Sequence, residues 1–212
     1  CWMSVFYNNH DNPRMVSKVT NDPTYHAAVQ KLLAVLQITM KGTPFIFQGD
    51  EMGLVNYDFT SMDQITDVEA KGYYAEYLET KSPEEAFKII KSGTREHTRI
   101  LLPWNATVNP CHEGLVQEIN QEITDTYKRL ITLRKENKAL VYGEFEVLDK
   151  KKDRFTYRRR LDGQTFIVDC NLGKNKQKAY VSRGGFELVY GSEGAEDGML
   201  RPYEARIWRA KR

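Results

Sequence analysis

The chain has 212 residues, with 31 Lys and Arg against 29 Asp and Glu, a formal net charge of +2, 41% hydrophobic residues and 28% charged ones. This much apolar material offsets chain entropy and excludes a mainly disordered chain. The near-neutral balance argues against a dedicated nucleic-acid binder, and no apolar run approaches the roughly 20 residues that a bilayer span needs.

The richest apolar stretch, residues 32–40, is short and is broken by Gln37 and Thr39. The opening Cys1-Trp2-Met3 shows neither a basic segment nor a small-residue cleavage site, so no secretory signal is read. Cys1, Cys111 and Cys170 are odd in number and far apart, without a Cys-x-x-Cys or Cys/His cluster. No metal site and no cofactor are expected, and free thiols point to a reducing compartment, the cytoplasm. The length allows one or two domains. The chain starts without Met, inside a strand-like run, and is expected to be part of a longer protein.

In chain order, residues 2–7 form a nearly unbroken apolar run, the pattern of a strand buried on both faces. Polar residues 8–14 follow. Ala28, Val29, Leu32, Leu33, Leu36 and Met40 recur at helical spacing, which predicts a helix over 25–40. Asn21 or Asp22 would cap it, Pro23 would sit just inside, and Lys41-Gly42 would end it. A second apolar run, 45–47, leads into Gln48-Gly49-Asp50-Glu51. Strand, helix and strand in this order predict a parallel βαβ unit, whose polar strand ends would carry a site.

Short helices are predicted over 73–79 and 83–91. Ser82 is an N-cap and Glu85 completes a capping box. Residues 93–109 read as a loop and 123–138 as a second amphipathic helix. After Gly143 the pattern turns to period two, and Asp162-Gly163 marks a type I′ hairpin. Further short runs at 179–181, 186–190 and 205–208 complete an antiparallel β region, with a boundary expected near Val141.

His10-Asp11 at a strand end is the sharpest chemical feature. Its carboxylate either serves acid/base or charge-stabilising chemistry, or bonds the backbone of its own loop; both readings are open at this point. Asp50-Glu51 is read as a helix start or an internal ion pair in preference to a catalytic pair. Arg95, Glu96, His97 and Arg99 form a charged cluster that either grips polar groups through forked guanidiniums or is simply solvated. Lys150 to Lys152, Arg154 and Arg158 to Arg160 read as a solvated sheet face, and Gly184-Gly185 as a turn rather than a nucleotide loop.

Val5-Phe6-Tyr7-Asn8-Asn9-His10-Asp11-Asn12-Pro13-Arg14 resembles the fourth conserved region of glycoside hydrolase family 13, the α-amylase superfamily, in its oligo-1,6-glucosidase and α-glucosidase branch. Gly42-Thr43-Pro44-Phe45-Ile46-Phe47-Gln48-Gly49-Asp50-Glu51-Met52-Gly53 is similar to that branch's eighth barrel strand and following loop. Arg95-Glu96-His97-Thr98-Arg99 with Pro103-Trp104 resembles its arginine-bearing substrate loop, and Leu200-Arg201-Pro202-Tyr203-Glu204-Ala205 resembles the last strand of its C-terminal domain. Asn12 stands where the branch often has Gln, Asp50 replaces a common Glu, and Thr94 reads as a one-residue insertion. Ile100-Leu101-Leu102 also departs from the branch's pattern.

The resemblance implies an α/β part followed by an all-β part. Residues 1–141 would supply the last two βα units of a (β/α)8 TIM barrel, and 142–212 an antiparallel β-sandwich. It implies an α-linked glucose oligosaccharide as substrate, with no nucleic acid, membrane or cofactor. Asp11 would be the carboxylate that stabilises the transition state. His10 and Arg95 would contact the sugar, and Arg99 and Arg14 would brace the site.

A retaining glycosidase needs two carboxyl groups about 5–5.5 Å apart, and in the family these precede the segment matched here. The longer protein is therefore expected to hydrolyse α-glucosidic bonds while this chain alone is inactive, and open barrel edges would favour self-association. The alternatives are a trehalose-6-phosphate hydrolase, a glucosyl isomerase or a transglucosylase of the same fold, or a non-catalytic module that binds carbohydrate or protein.

Overall fold

The computed structural model describes residues 2–104, 117–182, 184–191 and 198–211. Cys1, Cys111 and the end of the predicted loop over 93–109 lie outside these residues. β1 (Ser4–Val5) pairs in parallel with β2 (Thr43–Pro44), Ser4 opposite Thr43 and Val5 opposite Pro44. Between them run α1 (Met15–Val19), which the periodicity did not announce, and α2 (His26–Thr39). The strand–helix–strand order is thus as read.

Both strands are shorter than expected, and the second falls earlier than 45–47. Trp2, Met3, Phe6 and Phe45 are exposed, not buried on both faces. Each strand has one neighbour among the described residues, so ladder bonds form only where the two touch: Thr43 N–H to the Met3 carbonyl at 2.8 Å and Phe45 N–H to the Val5 carbonyl at 2.9 Å. Gly42 permits this approach. Its φ is 143°, and a Cβ there would lie 2.3 Å from the Met3 oxygen.

Asp22, not Asn21, caps the entry to α2: its carboxylate accepts from Thr24 N–H at 3.0 Å across the 3₁₀ turn Pro23–Tyr25. α2 buries Val29, Leu32, Val35, Leu36 and Ile38. Each such side chain contributes about 1.5–3 kcal/mol when fully buried, which is what seats the helix.

α3 (Val68–Tyr77) starts five residues before the predicted 73, capped by Asp67. α4 (Pro83–Gly93) carries the Ser82/Glu85 capping box as read. Under this helix pair lies a separate apolar cluster of Phe59, Ile65, Ala70, Ile90 and Ile100. α5 (Gln121–Glu136) is capped by Asn120 and stops at Asn137, after which α6 (Lys138–Tyr142) begins.

Beyond Gly143 come β3 (Glu144–Lys151), β4 (Arg154–Leu161), β5 (Gln164–Asn171), β6 (Gln177–Lys178), β7 (Phe186–Tyr190), β8 (Met199–Leu200) and β9 (Ala205–Ala210). An antiparallel sheet has the order β3-β4-β5-β9-β7, and β6 and β8 form a separate ribbon. Leu161 pairs with Gln164 around Asp162 (φ 47°) and Gly163 (φ 77°), the left-handed pair that a type I′ turn demands. One apolar core joins α2 and α5 to Tyr157, Phe166, Val168 and Ile207 of the sheet.

The basic stretch is not uniformly a solvated face. Arg158 and Arg160 pair across the strands with Glu146 and Glu144, and Arg154 pairs with Asp149. Arg159, by contrast, is 0% exposed. It donates to the carbonyls of Thr39, Leu140, Val141 and Gly143 at 2.6–3.1 Å. Strand alternation turns it inward, where helix-end carbonyls replace water around the charge.

Candidate active site

The loop after β1 is held by its own asparagines. Asn9 Oδ1 accepts from Asp11 N–H at 2.9 Å and from Asn12 Nδ2 at 3.0 Å, and Asn8 Oδ1 accepts from Met15 N–H at 2.6 Å. The Asp11 carboxylate is thereby left for partners outside its loop. His10 Nε2 lies 3.1 Å from Asp11 Oδ2. On the other oxygen, Arg99 Nη2 lies at 3.0 Å and Arg95 Nη1 at 3.6 Å. Half of the Asp11 side chain stays exposed, so it is oriented and accessible at once.

The arginines reach this point because a second carboxylate anchors them. Asp67 Oδ1 accepts from Arg95 Nε at 2.9 Å and Arg99 Nη1 at 3.2 Å, while Asp67 Oδ2 accepts from Ala70 N–H at 3.0 Å. Burial alone would raise the Asp67 carboxyl, but these hydrogen bonds and charges overcome it and hold it below the usual range. The same hydrogen bond to Asp67 raises the Arg95 guanidinium, which stays charged. Glu69 adds a contact at 3.2 Å to Arg95 Nη1. Glu96, 1% exposed, accepts from Thr66 and Asp67 N–H and so fixes the start of α3.

Asp11, Asp67, Glu69, Tyr73, Tyr77 and Arg95 line a cleft of about 400 Å³.

Of the residues read from sequence, the structure brings together His10, Asp11, Arg95 and Arg99. Arg14 is elsewhere: it is 1% exposed, buried against Asp50 at 2.9 Å, with Phe47 under its guanidinium. Asp50 also accepts from Asn8 Nδ2 at 2.8 Å, so Asp50 forms the internal ion pair of the preferred reading with Arg14, while Glu51 accepts from Gly49 N–H at 2.9 Å. Gly49, at φ 93°, leaves room for Arg14, since a Cβ there would lie 2.7 Å from Nη2. His97 donates Nε2–H to the Lys91 carbonyl at 2.6 Å, and burial lowers its pKa. It is a neutral core histidine, not part of the site.

Asp67 and Glu69 were missed. The one signal for them was Asp67 as an N-cap ahead of Val68-Glu69, hidden because Lys71-Gly72 breaks the apolar period. Among the described residues, no group of three His, Cys, Asp or Glu side chains is placed to hold a metal ion. No described helix is long and apolar enough to cross a membrane.

Residues 1–143 match the family model of the alpha-amylase catalytic domain, and the chain belongs to that family. It is 35% identical to the glucan 1,6-alpha-glucosidase of Streptococcus pneumoniae, over 96% of this chain and 42% of that protein. It is 33% identical to the oligo-1,6-glucosidase of Halalkalibacterium halodurans, over 99% of this chain and 43% of the relative. Among solved structures, the trehalulose synthase MutB of Pseudomonas mesoacidophila superposes with a TM-score of 0.79 at 29% identity, covering 99% of this chain and 43% of that one. The chain thus spans about two fifths of the length of these relatives.

Proposed function

We propose that the chain is the C-terminal part of a longer retaining α-glucosidase acting on short α-linked glucose oligosaccharides. Residues 1–141 contribute the last two βα units of a (β/α)8 barrel, and 142–212 an antiparallel β-sandwich. The observation that carries the proposal is the Asp11 carboxylate, at the end of a parallel strand, flanked by His10 and two arginines and open to a cleft.

Asp11 binds sugar hydroxyls and opposes the positive charge that grows at the anomeric carbon in the transition state. His10 hydrogen-bonds hydroxyls of the same sugar, Arg95 contacts it, and Arg99 orients Asp11. Arg14 braces the loop from below through Asp50.

Asp11 cannot also serve as both nucleophile and proton donor. Asp67, its nearest carboxylate relation through the arginines, is held ionised and is no acid at neutral pH. The nucleophile and the acid therefore belong to other parts of the longer enzyme, and the 212-residue chain alone is inactive. We place the enzyme in the cytoplasm, in keeping with the free, buried Cys170.

The MutB likeness favours a second reading, a sucrose-type glucosyl isomerase with the same role for Asp11. Incubating isomaltose and p-nitrophenyl α-glucoside with the chain and with the longer enzyme tests the account. The longer enzyme is expected to release glucose as the α-anomer while the chain gives no turnover. Turnover by the repurified chain that Asp11→Ala abolishes would overturn it, and isomerised sucrose without net hydrolysis would favour the second reading.

A further inference from the structure

The loop that carries Asp11 is pinned at both ends by one carboxylate oxygen. Asn8 opens the loop and Arg14 closes it, and their side chains converge on Asp50 Oδ1. Asn8 Nδ2 donates to it at 2.8 Å and Arg14 Nη1 at 2.9 Å. Asn8 Oδ1 in turn accepts from Met15 N–H at 2.6 Å, which ties the two ends to each other. We infer that Asp50 is a positioning residue for Asp11: from the end of the neighbouring strand it holds the base of the loop whose apex carries the chemistry. The inference rests on the reading of Asp11 as the carboxylate that stabilises the transition state.

Burial decides where the loop is stiff. Asn8, Pro13 and Arg14 are buried and the Asp50 side chain is 8% exposed, whereas His10, Asp11 and Asn12 are exposed. Water does not compete for the bonds at the base, and the low local dielectric strengthens them. The bond from the Arg14 guanidinium is charge-assisted as well. At the apex water does compete. The bonds from Asp11 N–H and Asn12 Nδ2 to Asn9 Oδ1 set the shape of the apex, but not its place over the strand end. Arg99 reaches the apex from the other side, through Asp11 and the His10 carbonyl. That grip fixes Asp11 only while the base of the loop stays where Asp50 holds it.

Asp50 is itself held. It lies in a tight turn after β2, where its N–H donates to the Phe47 carbonyl at 3.0 Å and Gly49 N–H donates to Glu51 Oε2 at 2.9 Å. The Phe47 ring lies 5.1 Å from the Arg14 guanidinium and keeps it over the turn. The backbone adds a further tie, because Arg14 N–H donates to Asn56 Oδ1 at 2.7 Å. The ends of the two parallel strands are thus latched together, with Asp11 on one and the latch on the other.

Steady-state kinetics of the longer enzyme on isomaltose tests the inference. Asp50→Ala frees both ends of the loop, and a misplacement of about 1 Å at a reacting group costs up to about a hundredfold. The kcat of the folded enzyme should fall about ten- to hundredfold, with KM within about threefold. Asp50→Asn should keep kcat within about threefold, because an amide oxygen still accepts from both donors. Asp50→Ala also leaves Arg14 without its partner and threatens folding, so Asn8→Ala provides a second route. It cuts the near end of the loop, keeps the Arg14–Asp50 pair, and should lower kcat about tenfold.

A double-mutant cycle separates positioning from a general loss of stability. In an Asp11→Asn background, Asp50→Ala or Asn8→Ala should lower kcat by less than about threefold, since the group they position has already lost its charge. Losses that multiply in full with Asp11→Asn, a rise in KM without a fall in kcat, or Asp50→Asn as slow as Asp50→Ala would overturn the inference. So would a lower melting temperature with kcat kept within about threefold. Asp11→Asn with kcat close to the original would remove the reading of Asp11 and the inference with it. A slow Asp11→Asn beside an unimpaired Asn8→Ala would remove the inference alone.

Discussion

Arg99 grips the loop that carries Asp11 at two points. Its Nη2 lies 3.0 Å from Asp11 Oδ1, and its Nε donates to the carbonyl of the preceding His10 at 3.0 Å. A third contact, Nη1 to Asp67 at 3.2 Å, fixes the guanidinium from behind. The strand-end carboxylate is thus oriented by a residue 88 positions away in the chain.

Arg99→Lys keeps the charge but not the planar fork. One ammonium cannot hold Asp11, Asp67 and the His10 carbonyl together. In the longer enzyme, kcat/KM for isomaltose should fall about tenfold or more, the loss of one to two hydrogen bonds of roughly 1 kcal/mol each. The melting temperature should change little, because the cluster is partly solvated. Unchanged kcat/KM would show that Arg99 does not orient Asp11.

The buried Arg14–Asp50 pair should leave a mark on the pH dependence of stability. Burial pushes the Asp50 carboxyl up to about 6, against the opposing charge of Arg14 and the hydrogen bonds from Asn8 and Arg14. Between about 4 and 6 the folded chain therefore holds a proton that the unfolded chain has released. The stability contributed by this group is complete below that window, falls as pH rises through it, and is level above. Asp50→Asn should flatten the melting profile between about pH 4 and 6 relative to the unsubstituted chain; an unaltered slope would contradict the assignment. Arg14→Met strands the ionised carboxylate and should cost about 3–5 kcal/mol at neutral pH.

Two consecutive arginines, Arg159 and Arg160, should differ sharply. Arg159 satisfies four carbonyls from the ends of α2 and α6. Its guanidinium pKa is lowered to about 10 by burial and by the neighbouring Arg134. Arg159→Met removes those donors in the core and should cost about 3 kcal/mol or more. Arg160→Ala, at a solvated cross-strand pair, should stay within about 0.5 kcal/mol. Chemical denaturation of both variants checks the contrast, and equal effects would contradict it.

Legibility followed the range of each interaction. The Ser82/Glu85 capping box, the Asp162-Gly163 turn and the spacing of Leu32 and Leu36 are local signals, and each element appeared where they stood. His10, Asp11, Arg95 and Arg99 were legible as motifs through the family resemblance, but the geometry that joins them was not, because it depends on Asp67, whose meeting with the two arginines is a tertiary event. Arg159 was misread for the same reason: composition places it among solvated cations, whereas pairing of β4 between β3 and β5 turns it inward. The residue run 2–7 was read as doubly buried from its hydrophobicity alone. Burial needs neighbouring strands, and only β2 is present beside it among the described residues.

Those exposed residues carry a consequence in solution. Trp2, Met3, Phe6 and Phe45 are 48–61% exposed. Apolar surface beside unpaired strand edges drives association. The isolated chain should dimerise or aggregate and bind a hydrophobic dye, and Phe6→Lys with Phe45→Lys should reduce both. Light scattering that reports a clean monomer with no dye binding would contradict this.

The most direct test of the central claim is the kinetics of Asp11→Asn in the longer enzyme. The change keeps size and most hydrogen-bonding geometry and removes the charge. If Asp11 stabilises positive charge in the transition state, kcat should fall about 10²–10³-fold with KM changed far less, a loss of roughly 3–4 kcal/mol. Thermal stability should be nearly unchanged, since Asp11 is half exposed. A variant with kcat within about threefold of the original, less than 1 kcal/mol of barrier, would contradict the account.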